Sequence, residues 1–182
     1  MRLFVGIPLT SEVLDALESL SRSLRVNGDT LRWSSRETWH ITLQFLGDTP
    51  AGKDECLIKH LGEIRSPHVP IRVNGTGIFD RAGVFWAGVN VSPELRQLEK
   101  QVVAATAQCG FTPEDRPYHP HVTLARGKGN DRARLLRRLL NRVENEIDFP
   151  PFEAGEFLLY ESLLGPGGTI HVVRERFQLG QR

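Results

Sequence analysis

Residues 40–43 read His40-Ile41-Thr42-Leu43, and residues 121–124 read His121-Val122-Thr123-Leu124. The copies lie 81 residues apart in a 182-residue chain, a little under half its length. Each falls in an alternating stretch that reads as a strand, 39–46 and 121–126, with a helix pattern before it and another after it. Side chains of a strand alternate faces. The His and Thr of each copy therefore share one face, and Ile41, Leu43, Val122 and Leu124 take the other. A repeat of this size predicts two similar halves. A rough twofold between them would bring two imidazoles and two hydroxyls to one cleft. One His-x-Thr-Leu can arise by chance in a chain with six histidines; two in like context point to a shared role.

Outward from the motifs, residues 2–8 read as a strand. Thr10 or Ser11 can cap a helix with the stripe Val13, Leu14, Leu17, Leu20 and Leu24, ended by Asn27-Gly28-Asp29. Gly47-Asp48 reads as a turn, and 51–64 as a helix with Leu57, Ile58 and Leu61 inward. Strands over 69–79 and 83–91 flank Asp80-Arg81-Ala82-Gly83, which predicts a hairpin. Ser92-Pro93-Glu94 starts a helix that runs to about Cys109, where Gly110 stops it. A loop with Pro113, Pro117 and Pro120 leads to His121. An amphipathic helix over 132–143 follows. Two strands, near 152–161 and 169–178, enclose Gly165-Pro166-Gly167-Gly168. Hairpins dominate and βαβ signals are few, so the fold class is α+β. The expected architecture is one bilobal domain over residues 1–182, with antiparallel sheets lining a central cleft and helices outside.

A net charge of +1 and a pI near 7.9 exclude the basic footprint of a protein that grips long nucleic acid through many phosphates. Any nucleic acid should be recognised locally, at an end or a single linkage. The opening MRLFVGIPLT has too short an apolar run for a secretory signal, and no stretch approaches the ~20 apolar residues of a membrane span. Cys56 and Cys109 form no CxxC pair, so they read as reduced thiols of a cytoplasmic protein. With no coiled-coil pattern or spare apolar helix face, a monomer is expected.

Two histidines suit phosphodiester cleavage. In-line displacement needs a base for the attacking oxygen and an acid for the departing one, and an imidazole serves either role near neutral pH. Thr42 and Thr123 can donate to non-bridging oxygens without adding charge. Arg126 can offer a positive fork to the developing charge. Strict alternation puts Arg126 on the face opposite His121, so it must lie at a strand end or past a bulge. Alternation likewise sets Phe45 with Ile41 and Leu43 toward the core; a bend before it would free the ring to stack on a base.

The stretches HITLQFLG and RPYHPHVTLAR, with RLFVGIPL, Trp33, VFWAGV and LYESLLGPGG, resemble the 2H phosphoesterase superfamily almost end to end. They are closest in pattern to the RNA 2′,3′-cyclic phosphodiesterases, also called LigT-like or 2′-5′ RNA ligases. The resemblance implies hydrolysis of a terminal 2′,3′-cyclic phosphate to a 2′-phosphomonoester, and reversible 2′-5′ ligation in the same site. It implies neither metal nor nucleotide cofactor. His40, Thr42, His121, Thr123 and Arg126 match the family pattern. A 2′-phosphate product requires the 3′ oxygen to leave; we take His40 as its proton donor and His121 as the proton acceptor, an assignment that the two symmetric motifs do not make by themselves. His171 stands where relatives often carry Tyr, which leaves its contact at the cleft rim open.

Other readings remain. The substrate could be a small cyclic phosphate nucleotide or a 2′-5′ oligonucleotide, or the chain could bind RNA ends without catalysis. His119-x-His121 resembles a metal pair but has no third ligand at suitable spacing. His60 and His68 read as surface residues. Arg132, Arg134, Arg137, Arg138 and Arg142 form a basic helix face, either solvated or steering RNA.

Overall fold

A computed structural model describes residues 1–28, 30–143, 147–165 and 168–180. Asp29 of the helix-ending triplet, and Pro166 and Gly167 of the glycine-proline turn, lie outside the described residues. The first sheet contains β1 (Arg2–Ile7), β3 (Ile41–Asp48), β9 (Glu156–Gly165) and β10 (Gly168–Gln178), ordered β10-β9-β1-β3. The second contains β2 (Arg32–Trp33), β5 (Val73–Phe79), β6 (Val84–Val89) and β7 (His121–Arg126), ordered β2-β7-β6-β5. β4 (Val69–Ile71) and β8 (Phe152–Ala154) pair as a separate ladder. Every pairing is antiparallel. The helices among the described residues are α1 (Ser11–Leu24), α2 (Lys53–Gly62), α3 (Pro93–Ala107) and α4 (Arg132–Arg142). The α+β class follows the sequence reading, and each motif strand lies in its own sheet.

One core joins the halves. Ile41, Leu43, Val122 and Leu124 are at most 3% exposed and belong to the same apolar cluster. Burying each such side chain contributes roughly 1.5–3 kcal/mol relative to leaving it in water. α1 buries Val13, Leu17, Leu20 and Leu24 as its stripe predicts. Ser92 caps α3 by accepting from the Leu95 amide at 3.1 Å, with Pro93 at the first helical position. Two cross-ties bind the path to the second motif onto the strand of the first. The Tyr118 hydroxyl donates to the Thr42 carbonyl at 3.2 Å, and Thr106 Oγ1 donates to Gln44 Oε1 at 2.7 Å.

Four expectations need correction. The strand expected over 69–79 divides into β4 and β5. Pro70 has no amide hydrogen, which suits the short β4–β8 ladder better than a broad sheet. The strand expected over 152–161 divides likewise into β8 and β9. Gly47 and Asp48 do not turn; they continue β3 opposite Leu3 and Arg2, with Gly47 at φ +68°. Cys56 and Cys109 are not reduced thiols. They form a disulfide with Cα atoms 5.9 Å apart, joining α2 to the residues just past α3. At a sequence separation of 53, only the side-by-side packing of two helices brings these cysteines together. β2 and the 3-10 turn Arg36–Thr38 went unpredicted, being too short for any periodicity to register.

Candidate active site

The two motif strands carry the same irregularity. In the β1–β3 ladder Val5 faces Gln44 and Gly6 faces Thr42, so Leu43 has no opposite residue. In the β6–β7 ladder Phe85 faces Ala125 and Trp86 faces Thr123, so Leu124 is passed over in the same way. A bulge reverses the alternation beyond it. Leu43 and Gln44 are consequently both buried, as are Leu124 and Ala125. The next residues, Phe45 and Arg126, emerge on the face that carries the His and Thr of their own strand. The repeat offset of 81 residues makes them equivalents. Phe45 is 55% exposed, which corrects its expected core position. Arg126, exposed at the end of β7, reaches the polar face by the route its position required.

His40 sits just ahead of β3, and His121 opens β7. His40 Nδ1 donates to the Thr38 carbonyl at 2.8 Å, and His121 Nδ1 donates to the His119 carbonyl at 2.8 Å. A carbonyl only accepts, so each Nδ1 carries hydrogen and each Nε2 is left for chemistry. His40 Nε2 also lies 3.0 Å from Thr42 Oγ1. Gly6, opposite Thr42, has no room for a side chain: a Cβ there would come within 2.9 Å of the Ile41 carbonyl and 3.4 Å of His40 Cδ2.

Aromatic rings wall each imidazole. Around His40 stand Phe4 at 4.5 Å, His171 at 4.9 Å and Tyr160 at 5.8 Å between ring centroids. Around His121 stand Phe79 at 5.0 Å, His119 at 6.2 Å and Trp86 at 6.4 Å. These walls disfavour positive charge. Burial lowers the pKa of His40 to about 3; His171 and His121 add to this, and the Thr38 bond opposes it. Burial also lowers His121; the bond to the His119 carbonyl opposes this, and the His119 ring and Arg126 add to it. Arg126 makes no ion pair among the described residues, and its charge is disfavoured by partial desolvation of the guanidinium and by Arg32 across the β2–β7 ladder. The two motif strands thus present two imidazoles, two hydroxyls and an uncompensated guanidinium, with His40 and His121, and His121 and Arg126, near enough to feel each other's charge.

The sequence did not reveal the ring walls. His171 was expected at the rim or surface, yet it is half-buried against His40, carried there from the far strand of the sheet. Phe4, Phe79, Trp86 and Tyr160 read only as strand residues. His119 serves through its carbonyl and its ring contacts. Among the described residues neither His119 nor His121 belongs to a group of three metal-binding side chains. The basic face of α4 is partly structural: Arg137 pairs with Asp80 at 3.1 Å, and Arg142 donates to the Leu24 carbonyl at 2.9 Å.

Comparison with known proteins places the family and the fold. The family model described as the 2′-5′ RNA ligase superfamily matches residues 13–165. The chain is 32% identical to the RNA 2′,3′-cyclic phosphodiesterase of Aquifex aeolicus over 189 residues, covering 99% of this chain and 98% of that one. It is 31% identical to the protein of the same name from Thermotoga maritima, covering 95% and 92%. The apo crystal structure of E. coli LigT matches with a TM-score of 0.82 at 28% identity, over 99% and 98% of the two chains. A matched family model, a relative alike from end to end and a shared fold agree: this chain belongs to the 2′-5′ RNA ligase superfamily.

Proposed function

We propose that this chain hydrolyses terminal 2′,3′-cyclic phosphates of RNA to 2′-phosphomonoesters, through one domain formed by residues 1–182. The observation that carries the reading is the paired presentation of His40 and His121, each with Nδ1 fixed on a carbonyl and Nε2 turned to chemistry. His121 Nε2 takes a proton from water as its oxygen attacks phosphorus. The bond from phosphorus to the 3′ oxygen breaks, and His40 Nε2–H protonates that oxygen. The phosphate stays on the 2′ oxygen, and proton exchange with water resets both rings. Thr42, Thr123 and Arg126 hold the non-bridging oxygens. With a 5′-hydroxyl in place of water, the same displacement makes a 2′-5′ linkage. Donors and acceptors for every step come from side chains of one chain, which supports a metal-independent monomer. No helix among the described residues is long and apolar enough to cross a membrane. RNA ends as substrate support a cytoplasmic site of action.

The test is hydrolysis of an oligonucleotide ending in 2′,3′-cyclic phosphate, with EDTA present, compared with the cyclic mononucleotide. Chelator-resistant formation of a 2′-phosphate is the expected result; no turnover of either substrate would overturn the proposal. Phe45 gives the comparison its direction. Its exposed ring on the His40 face suits stacking with a base, worth ~1–3 kcal/mol by alanine substitution. Phe45→Ala should therefore raise KM for the oligonucleotide about 5-fold or more, with kcat little changed. An unchanged KM would remove Phe45 from the binding surface.

The depressed imidazoles predict a pH dependence. Free enzyme is competent with His40 protonated and His121 neutral, a minor form because burial holds His40 at about 3. His40 near 3 and His121 below 6.5 mean that raising the pH removes the needed proton. kcat/KM should fall steadily from pH 6.5 to 8. Bound anion favours the protonated ring, so kcat should hold to higher pH. A kcat/KM that is flat or rising over this range would contradict the assignment.

A further inference from the structure

The disulfide has a third neighbour. His60 lies one helical turn after Cys56 on α2, and its ring nitrogen and the two sulfurs lie within 4.8 Å of one another. Positions four apart on a helix share a face, which explains why His60 accompanies Cys56. Glu63 accompanies His60 in turn, its carboxylate 3.2 Å from His60 Nδ1. That contact orients the ring and leaves Nε2 for a further partner. An open depression lined by His60, Glu63, Ala105 and Gln108 reaches the surface beside the pair. None of these residues takes part in the chemistry assigned to His40 and His121.

Two thiolates, one imidazole and a carboxylate behind the imidazole are the donor set of a zinc site. Zinc prefers tetrahedral sulfur and nitrogen ligands, and its histidines commonly donate their second ring N–H to a carboxylate. We propose that the reduced form of this chain binds one Zn²⁺ through Cys56, Cys109 and His60, with water at the fourth position. Disulfide and metal are alternative clasps between α2 and the end of α3. A dithiol reductant gives two electrons and two protons to the Cys56–Cys109 bond and leaves as its own disulfide. The two thiols then lose their protons as Zn²⁺ binds. In a thiol-rich compartment, where structural disulfides are rare, the metal form would be the working one. Either clasp holds the helix end from which the chain runs on to Tyr118 and His121, and the helix whose Thr106 bonds Gln44 on β3.

The experiment treats the whole chain with a dithiol, removes the reductant without air, and adds Zn²⁺ or Co²⁺. Metal bound per chain is measured, with affinity read against a chromophoric chelator. Reduced wild type should bind one Zn²⁺ and show thiolate-to-cobalt charge-transfer absorption with Co²⁺. The oxidised chain and the double variant Cys56→Ser/Cys109→Ser should show neither. His60→Ala changes a partly exposed helix residue and should weaken binding at least 10-fold; Glu63→Gln should weaken it ~10–100-fold, as loss of such a supporting carboxylate does. Reduced wild type that binds no more metal than the double serine variant would overturn the proposal. So would affinity unchanged by His60→Ala. The readout is metal content, so its failure is distinct from a failure of the phosphodiesterase reading, which is tested with chelator present.

Discussion

His40→Ala and His121→Ala are each expected to lower kcat on an RNA 2′,3′-cyclic phosphate by ~10²–10⁴, the usual contribution of a positioned general acid or base. Folding should be nearly untouched. Both imidazoles pack on aromatic rings outside the main core, His40 on the small Phe4–Tyr160 cluster, and the buried neighbours Ile41 and Val122 stay in place. The measurement is single-turnover hydrolysis with EDTA, alongside thermal unfolding of each variant.

The double variant sharpens the result. Acid and base act in one displacement, so removing the second costs little once the first is gone. The expected double loss is close to the larger single loss, well short of the product. A fully multiplicative loss would mean that the two rings serve separate steps. An unchanged rate in either single variant would leave that histidine as a ring packed among aromatics, a role its surroundings could also explain.

The repeat made the site legible because it combines period two with an offset near half the chain. The faces of His40, Thr42, His121 and Thr123 follow from alternation alone. What alternation could not supply is its own interruption. Leu43 and Leu124 look like ordinary inward residues, and a bulge at each depends on the register of a partner strand distant in sequence. That is why alternation assigns Phe45 to the core and admits Arg126 only at a strand end or past a bulge. His171 was hidden for a related reason: two strands, β9 and β1, separate its strand from β3 in the sheet. The disulfide was hidden because it rests on helix packing, which leaves no local pattern.

Arg126→Ala should lower kcat/KM by ~10²–10³, equivalent to ~2.7–4 kcal/mol, the cost of losing a donor aimed at developing charge. The structure separates this from a stability effect. Arg126 is exposed, makes no ion pair among the described residues, and faces Arg32 across the ladder. Removing it relieves a like-charge contact, so thermal stability should hold or rise slightly while activity falls. Arg126→Lys keeps the charge but loses the planar fork, and should recover only part of the rate. The equivalent position in the other half holds Phe45. In the proposed mechanism one half therefore offers charge for phosphate, and the other a ring for a base. A substrate with an anionic end and a stackable nucleoside can be bound in only one direction, which lets two matched histidines take unequal roles. Phe45→Arg would make the halves alike in charge and should weaken that discrimination. Arg126→Ala with full activity would sink the charge assignment and leave the phosphate to the hydroxyls alone.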